Sequence, residues 1–507
     1  MLLTARPLFR PTYLAVALAL GLFSACTTVH VDVPAAPATP QAFDTNGNAS
    51  SSLDITRWWE AIGDPSLTRL IEQGLQSNAD IRMAIQHVKE ARATVTMAES
   101  ALFPTLDLVG AASRNRLERD AVGPFGPFPA TTSPIPTPAL PPITIPGDTR
   151  FATLSTGGLA ATWEVDVFGS RRSDSDAARQ AALGMQERQH GAQMMVAADI
   201  ASNYFEARSI ERRQQVLDSS ISVAQRLQRY AQGRFDAGQA TRYDVDRAQA
   251  QVEALQAMRA PLQSLLDARI RRLAVLTGKT PESLAKLPPQ IPVPALSSSF
   301  IPTDLPTVLP SEVLERRPDV RGSANMVRAL AAKLGSAKAD LLPKFYVGFL
   351  AQDGRIAISD LPSLKGNLLG LSAGVKLPLF DAGRTRAHID ASDARLQAAS
   401  IQYEQTVMKA LEDVENAYGA RRALDDRAER LTSAWKIAQE GADHADHLFQ
   451  EGSGLLQPVL EAKLQSLQRE DDLIQTQTAR ALTTVLLYKA IGGGWSESTV
   501  DTSAASN

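Results

Sequence analysis

Between Pro146 and Pro261, and again between Pro378 and Pro458, the chain has no proline. Such stretches permit unbroken α-helix, because a proline inside a helix removes a hydrogen bond and clashes with the preceding turn. The pattern predicts one helix over Arg171 to Phe235 and another over Arg384 to Gln450. At ~1.5 Å per residue, about 65 residues extend roughly 100 Å. In the second stretch apolar residues recur at Val407, Leu411, Val414 and Tyr418. They resume at Leu424, Ala428, Leu431, Trp435, Ala438, Ala442, Ala445 and Phe449. Spacings of three and four are those of coiled-coil packing, and the alanines let helices approach closely. A glycine-containing turn follows each helix (Gly238; Gly452 and Gly454), then a shorter return helix, Thr241 to Leu276 and Leu455 to Ile491. Helical hairpins of this length are rods, not compact domains.

The same order of elements is written twice. Asn78-Ala79-Asp80-Ile81-Arg82 parallels Arg317-Pro318-Asp319-Val320-Arg321 at an offset of 239 residues, where Phe103-Pro104 also meets Leu342-Pro343. Val167-Phe168-Gly169 parallels Leu379-Phe380-Asp381 at 212, and Phe235-Asp236-Ala237-Gly238 parallels Phe449-Gln450-Glu451-Gly452 at 214. A Pro-rich insertion, Gly123 to Gly147, accounts for the change of offset. Each copy opens with a helix closed by proline, Asp80 to Leu102 and Asp319 to Leu342. A strand follows in each (Thr105 to Ala112; Phe345 to Ala351), then a loop and a second strand (Phe151 to Val167; Leu371 to Leu379). In the last strand Leu371, Ala373, Val375, Leu377 and Leu379 alternate with Ser372, Gly374, Lys376 and Pro378. About ten residues suits a tilted transmembrane β-strand, and an ordinary soluble hairpin also fits.

The N-terminus indicates export. Arg6 and Arg10 precede an apolar run, Tyr13 to Phe23, that is too short to span a bilayer, and small residues then lead to Cys26, the one cysteine. A single cysteine excludes a disulfide framework and a multi-thiolate metal site. A formal net charge of −3 gives no reason to invoke nucleic acid. The expected organisation is a signal peptide over 1–25, a tether over 26–54, repeats over 55–290 and 291–495, and a flexible tail over 496–507.

Four strands do not close a barrel, and open strand edges in lipid leave backbone groups unsatisfied at several kcal/mol each. Strands in the membrane therefore require several copies around a symmetry axis.

Several stretches resemble one family. They are Trp58-Trp59, Asp64-Pro65-Ser66-Leu67 with Leu70-Ile71, Asn78 to Ile81, Leu276-Thr277-Gly278, Arg316 to Val320, and Leu377 to Arg384. Together they make the chain similar to the TolC-like outer-membrane efflux proteins. The nearest branch is the lipid-anchored, NodT-type one that serves resistance–nodulation–division pumps. The resemblance implies a mainly α fold with a small β part. It implies a homotrimer, with a twelve-stranded β-barrel continued by an α-helical coiled-coil periplasmic tunnel. It also implies a passive exit duct in the outer membrane of a Gram-negative bacterium, partnered by a periplasmic adaptor and an inner-membrane pump. Leu22-Phe23-Ser24-Ala25-Cys26 resembles a lipobox, so Cys26 is the expected lipidation site, and Thr27 rather than Asp after it resembles sorting to the outer membrane. By the same resemblance, acids just after the helical turns ring the periplasmic aperture; these are Asp244 and Glu461 here, with Pro458 where an acid is also found. Phe235, Gly238, Phe449, Gly452 and Gly454 then mark the adaptor-contact turns.

Other patterns lead nowhere chemical. Thr241 with Asp244 three residues on also reads as a capping box. Asp443, His444 and His447 read as the polar face of a long helix. Gly278-Lys279-Thr280 lacks the first glycine of a phosphate loop, because position 273 is Leu273. No catalytic constellation, cofactor motif or metal motif stands out, so no enzyme is expected. A non-pore coiled-coil tethering lipoprotein and the duct of a type I secretion system remain as alternatives, and the sequence does not name the cargo.

Overall fold

The computed structural model describes residues 29, 31–32, 40, 42–43, 55–117, 150–283, 309–358 and 362–495. The signal segment, Cys26, most of the tether, the Pro-rich insertion and the C-terminal tail lie outside the described residues. The chain is mainly helical, in the order α1 (Pro65–Ser77), α2 (Ala79–Ser100), β1 (Thr105–Leu117), β2 (Arg150–Val165), α3 (Ser170–Asp236), α4 (Arg242–Ala257) and α5 (Arg259–Leu276). A short 3₁₀ turn at Pro281–Ser283 precedes α6 (Pro310–Arg316), α7 (Pro318–Ala339), β3 (Lys344–Ile358), β4 (Leu364–Lys376), α8 (Arg384–Gln450) and α9 (Leu456–Ala490). The two long helices, α3 and α8, run 67 residues each. Among the described residues, no helix is long and apolar enough to cross a membrane.

Three boundaries differ from the sequence reading. The first return helix breaks into α4 and α5 at Met258, because Pro261 has no N–H to donate to the carbonyl four residues back. The second has no proline beyond its first turn and runs unbroken for 35 residues. Strands β1, β3 and β4 are longer than expected, 13 to 15 residues, while β2 ends at Val165 rather than Val167; β4 runs from Leu364 to Lys376, so the apolar alternation from Leu371 falls in its second half.

Contacts divide the chain into two units. The first comprises Met1–Pro34, Glu90–Ala182 and Asn325–Ser400 and contains the sheet. Its four strands are antiparallel in the order β1-β2-β3-β4, so β1 and β4 are open edges. The register puts Leu106 and Leu108 of β1 on one face with Leu159, Ala161, Trp163 and Val165 of β2. Phe345, Val347, Phe349 and Ala351 of β3 join that face, as do Leu369, Leu371, Ala373 and Val375 of β4. Small and polar residues such as Thr162, Gly348, Gln352 and Ser372 point the other way. Side chains alternate in a strand, so this sorting is a property of the whole sheet. The apolar face is bare: Leu108 is 84% and Leu371 80% exposed.

The second unit comprises Ala35–Lys89, Leu183–Ala324 and Ile401–Asn507. Its core joins Leu67 and Ile71 of α1 to Ile200 and Tyr204 of α3, Ile270 and Leu273 of α5, Val414 of α8, and Val485 and Tyr488 of α9. Each such side chain contributes roughly 1.5–3 kcal/mol by leaving water. Trp58 stacks on Tyr488 at 5.2 Å, and the Tyr204 hydroxyl donates to Asp64, whose carboxylate also caps α1. Burial, and then that bond to Asp64, push the Tyr204 hydroxyl well above its ordinary pKa.

The start of α2 and the start of α7 are tied down alike. Asn78 Nδ2 donates to the Leu276 carbonyl at the end of α5, and Arg317 Nη1 donates to the Ala490 carbonyl at the end of α9. Arg317 also reaches Asp319 and Asp413. Helix α5 then ends at Gly278, in the left-handed region at φ +75°, where an added Cβ would lie 2.6 Å from the Ser77 carbonyl oxygen. Gly63 has the same φ sign with nothing within 4 Å. Gly278→Ala should therefore lose about 1–3 kcal/mol through strain and collision together, and Gly63→Ala less, through strain alone. The check is the apparent Tm of the detergent-extracted protein for the two variants.

Candidate functional site

The two tips where a long helix turns into its return helix carry every predicted site residue that the structure describes. At the first, the Gly238 amide donates to the Phe235 carbonyl at 2.9 Å and the Gln239 amide to the Arg234 carbonyl at 2.7 Å. At the second, Gly452 donates to Phe449 at 3.0 Å and Ser453 to Leu448 at 3.0 Å. These are two Schellman motifs, and the glycine in each takes the left-handed backbone, φ +73° and +78°, that other residues resist. Phe235 and Phe449 are both exposed. Gly454 serves a different purpose: a Cβ there would meet the Phe449 amide nitrogen at 3.1 Å, so it permits close packing of the turn on its own helix.

Beyond the shared turn the tips diverge. Thr241 caps α4, and Asp244 completes the capping box: its Oδ2 accepts from the Thr241 amide at 2.9 Å and the Thr241 hydroxyl at 2.7 Å. Those bonds, aided by the charges of Arg234 and Arg247, hold the exposed Asp244 carboxyl below the usual range. The equivalent cap of α9 is Leu455, which offers no side-chain bond, and Pro458 stands where Asp244 would fall. Glu461 lies one turn further along on α9, exposed, and accepts from Gln457 at 3.0 Å. The two predicted acids are thus exposed but differently held, one locked in a cap and one on an open helix face.

Small apolar contacts seat each tip. Ala231 of α3 packs on Val245 and Ala248 of α4, while Val459 and Leu460 of α9 are buried at the second tip. Lys463 of α9 bridges to Asp446 of α8 at 3.1 Å, which is the first cause holding the Asp446 carboxyl low. The sequence reading did not single out this pair; opposite charges flanking a turn were its only signal. His444 and His447 are exposed on α8, and among the described residues no cluster of three or more His, Cys, Asp or Glu is arranged to hold a metal. Cys26 lies outside the described residues.

Residues 70–279 and 309–493 match the outer membrane efflux protein family, two segments that take in both hairpins and the sheet. The chain belongs to that family. Its members are outer-membrane efflux channels, not enzymes, and this chain is an efflux channel protein of the outer membrane. It is 27% identical over 454 residues to the pyoverdine export outer membrane protein OpmQ of Pseudomonas aeruginosa, covering 88% of this chain and 89% of that protein. It is 27% identical over 472 residues to the cation efflux system protein CusC of Escherichia coli, covering 92% and 94%. Among solved structures, the outer-membrane channel OprN superposes with a TM-score of 0.76 at 26% identity, covering 92% of this chain and all of that one.

The Asp244 carboxyl has a lowered folded pKa, so its contribution to the cap is fully present above the ordinary value of 3.8 and fades as pH falls through the folded one. At about pH 4.5, hydrogen exchange should show the first turn of α4 protected in the parent protein and several-fold faster in Thr241→Val. The first turn of α9, with no side-chain cap, should exchange equally in both.

Proposed function

We propose that three copies of this chain share one twelve-stranded transmembrane barrel, continued by a periplasmic coiled-coil tunnel. The assembly is the passive exit duct of a tripartite system, joined through a periplasmic adaptor to an inner-membrane resistance–nodulation–division pump. One observation carries this reading: an apolar sheet face, bare across four strands, on a sheet with both edges unpaired. In hydrocarbon the face is satisfied and the edges are not, at several kcal/mol per orphaned group. Pairing β4 of one copy with β1 of the next removes every edge at once.

Other observations support the finer parts. The bonds Asn78 to Leu276 and Arg317 to Ala490, like the two Schellman turns, recur at the offsets of the sequence repeat and favour a duplicated architecture. The Val29 amide donates to the Phe168 carbonyl beside the end of β2, which favours a tether running from a lipidated Cys26 to the membrane-proximal end of the sheet. The exposed acids Asp244 and Glu461 suit a ring of carboxylates at the periplasmic aperture, which favours cations in a pore. Phe235, Gly238, Phe449, Gly452 and Gly454 form the turns offered to the adaptor. The cargo stays open, since relatives named for pyoverdine export and for cation efflux are equally distant from this chain.

The test is conductance of the protein reconstituted in planar bilayers. Asp244→Ala with Glu461→Ala is expected to raise conductance to cations by loosening the aperture. Unchanged conductance and selectivity would remove both acids from it, and no pore at all in the parent protein would reject the duct.

A further inference from the structure

The apolar face changes character toward its loop end. One row of the register carries Ala112, Ser155, Arg355 and Lys365 across the four strands. Arg114 and Arg116 stand on the same face of β1, further toward the loops, with the Arg114 guanidinium 4.6 Å over the Phe151 ring. Among the described residues at this end of the face there are thus four cations and one acid, Asp353. Arg355 and Lys365 are direct cross-strand partners, and like charges so placed destabilise a sheet. Both are exposed, and among the described residues neither side chain makes a hydrogen bond or salt bridge, to Asp353 or to any other group. Gly157, Gly354 and Gly366 surround the pair, which borders a shallow open depression rather than packed side chains. An anion held between two like charges so placed relieves their repulsion.

Its position says what kind of anion. The row lies past Leu108, Leu159 and Leu369, where the apolar face ends, with Phe151 further still toward the loops. On the reading that the apolar face meets lipid, on which this inference rests, the row stands in the headgroup layer of the outer leaflet. We propose that Arg114, Arg355 and Lys365 form a docking surface for a phosphorylated lipid headgroup, with Arg355 and Lys365 holding one phosphate between them. The planar guanidinium presents a fork matched to phosphate oxygens, and the lysine ammonium adds a point charge from the neighbouring strand. Asp353 on the adjacent row opposes the phosphate and sets an upper limit on its affinity.

The experiment uses the full chain in detergent, with bound lipid read by native mass spectrometry against bisphosphorylated lipid A, phosphatidylethanolamine and inorganic phosphate. The parent protein is expected to retain lipid A, and Arg355→Gln with Lys365→Gln to weaken that retention at least tenfold. Lys376→Gln, at the other end of β4, should leave it unchanged. Equal retention in the double variant would overturn the docking surface, as would full displacement by inorganic phosphate, which would mark a site for free anions. Asp353→Asn keeps both cations and should strengthen retention; no change there overturns the proposal even if the double variant does not fold. Pore formation in vesicles free of lipid A, measured on the same preparation, separates the two levels. A protein that forms pores but binds no lipid A loses only the docking surface, and one that never inserts loses the barrel as well.

Discussion

A strand edge cannot be left open in hydrocarbon, and most of this molecule follows from that constraint. The sheet has only four strands, two unpaired edges and one face of exposed leucine, valine and phenylalanine. Water penalises the face and lipid penalises the edges, so neither solvent suits the isolated sheet. On the proposed reading, shared closure with further copies resolves both. Helix α3 begins five residues after β2 and α8 eight residues after β4, so on that reading each copy brings two 67-residue helices with it. Their stripes of alanine and β-branched residues suit side-by-side packing, and the buried alanines at 197, 198, 201 and 207 of α3 leave room for close neighbours.

The two hairpin tips share a turn and differ beyond it. Both turns use the same backbone hydrogen bonds and the same left-handed glycine, because reversing a helix in a few residues leaves little choice. The residues that follow are free of that requirement. One return helix starts on a threonine–aspartate capping box and breaks before Pro261; the other starts uncapped on Leu455 and runs straight. Asp244 and Glu461 are consequently not equivalent groups. The first holds its charge through local hydrogen bonds that serve the helix as well as any pore, and the second has a single glutamine beside it.

Much of this was legible in the sequence. Both long helices lie where expected to within a residue, since the proline-free stretches permitted them and Gly238 and Gly452 marked the turns that end them. The family followed from dispersed short matches. What escaped depends on contacts between distant segments. Helices α1 and α6 are short and stand on tertiary packing, whereas the break at Met258 has a local cause in Pro261, three residues on. Nothing near Arg421 in the chain announces that its side chain is fully buried against Thr484 and Asp425, because Thr484 lies 63 residues away. The basic row at Arg355 and Lys365 was equally hidden, since it exists only once the register places β3 beside β4.

The most direct measurement is the mass of the detergent-extracted particle by light scattering, with its shape from negative-stain images. A barrel shared among copies predicts three chains in one elongated particle well over about 100 Å long, given helices of ~1.5 Å rise per residue. A particle that stays monomeric at every concentration would leave β1 and β4 unpaired and would contradict the shared barrel outright.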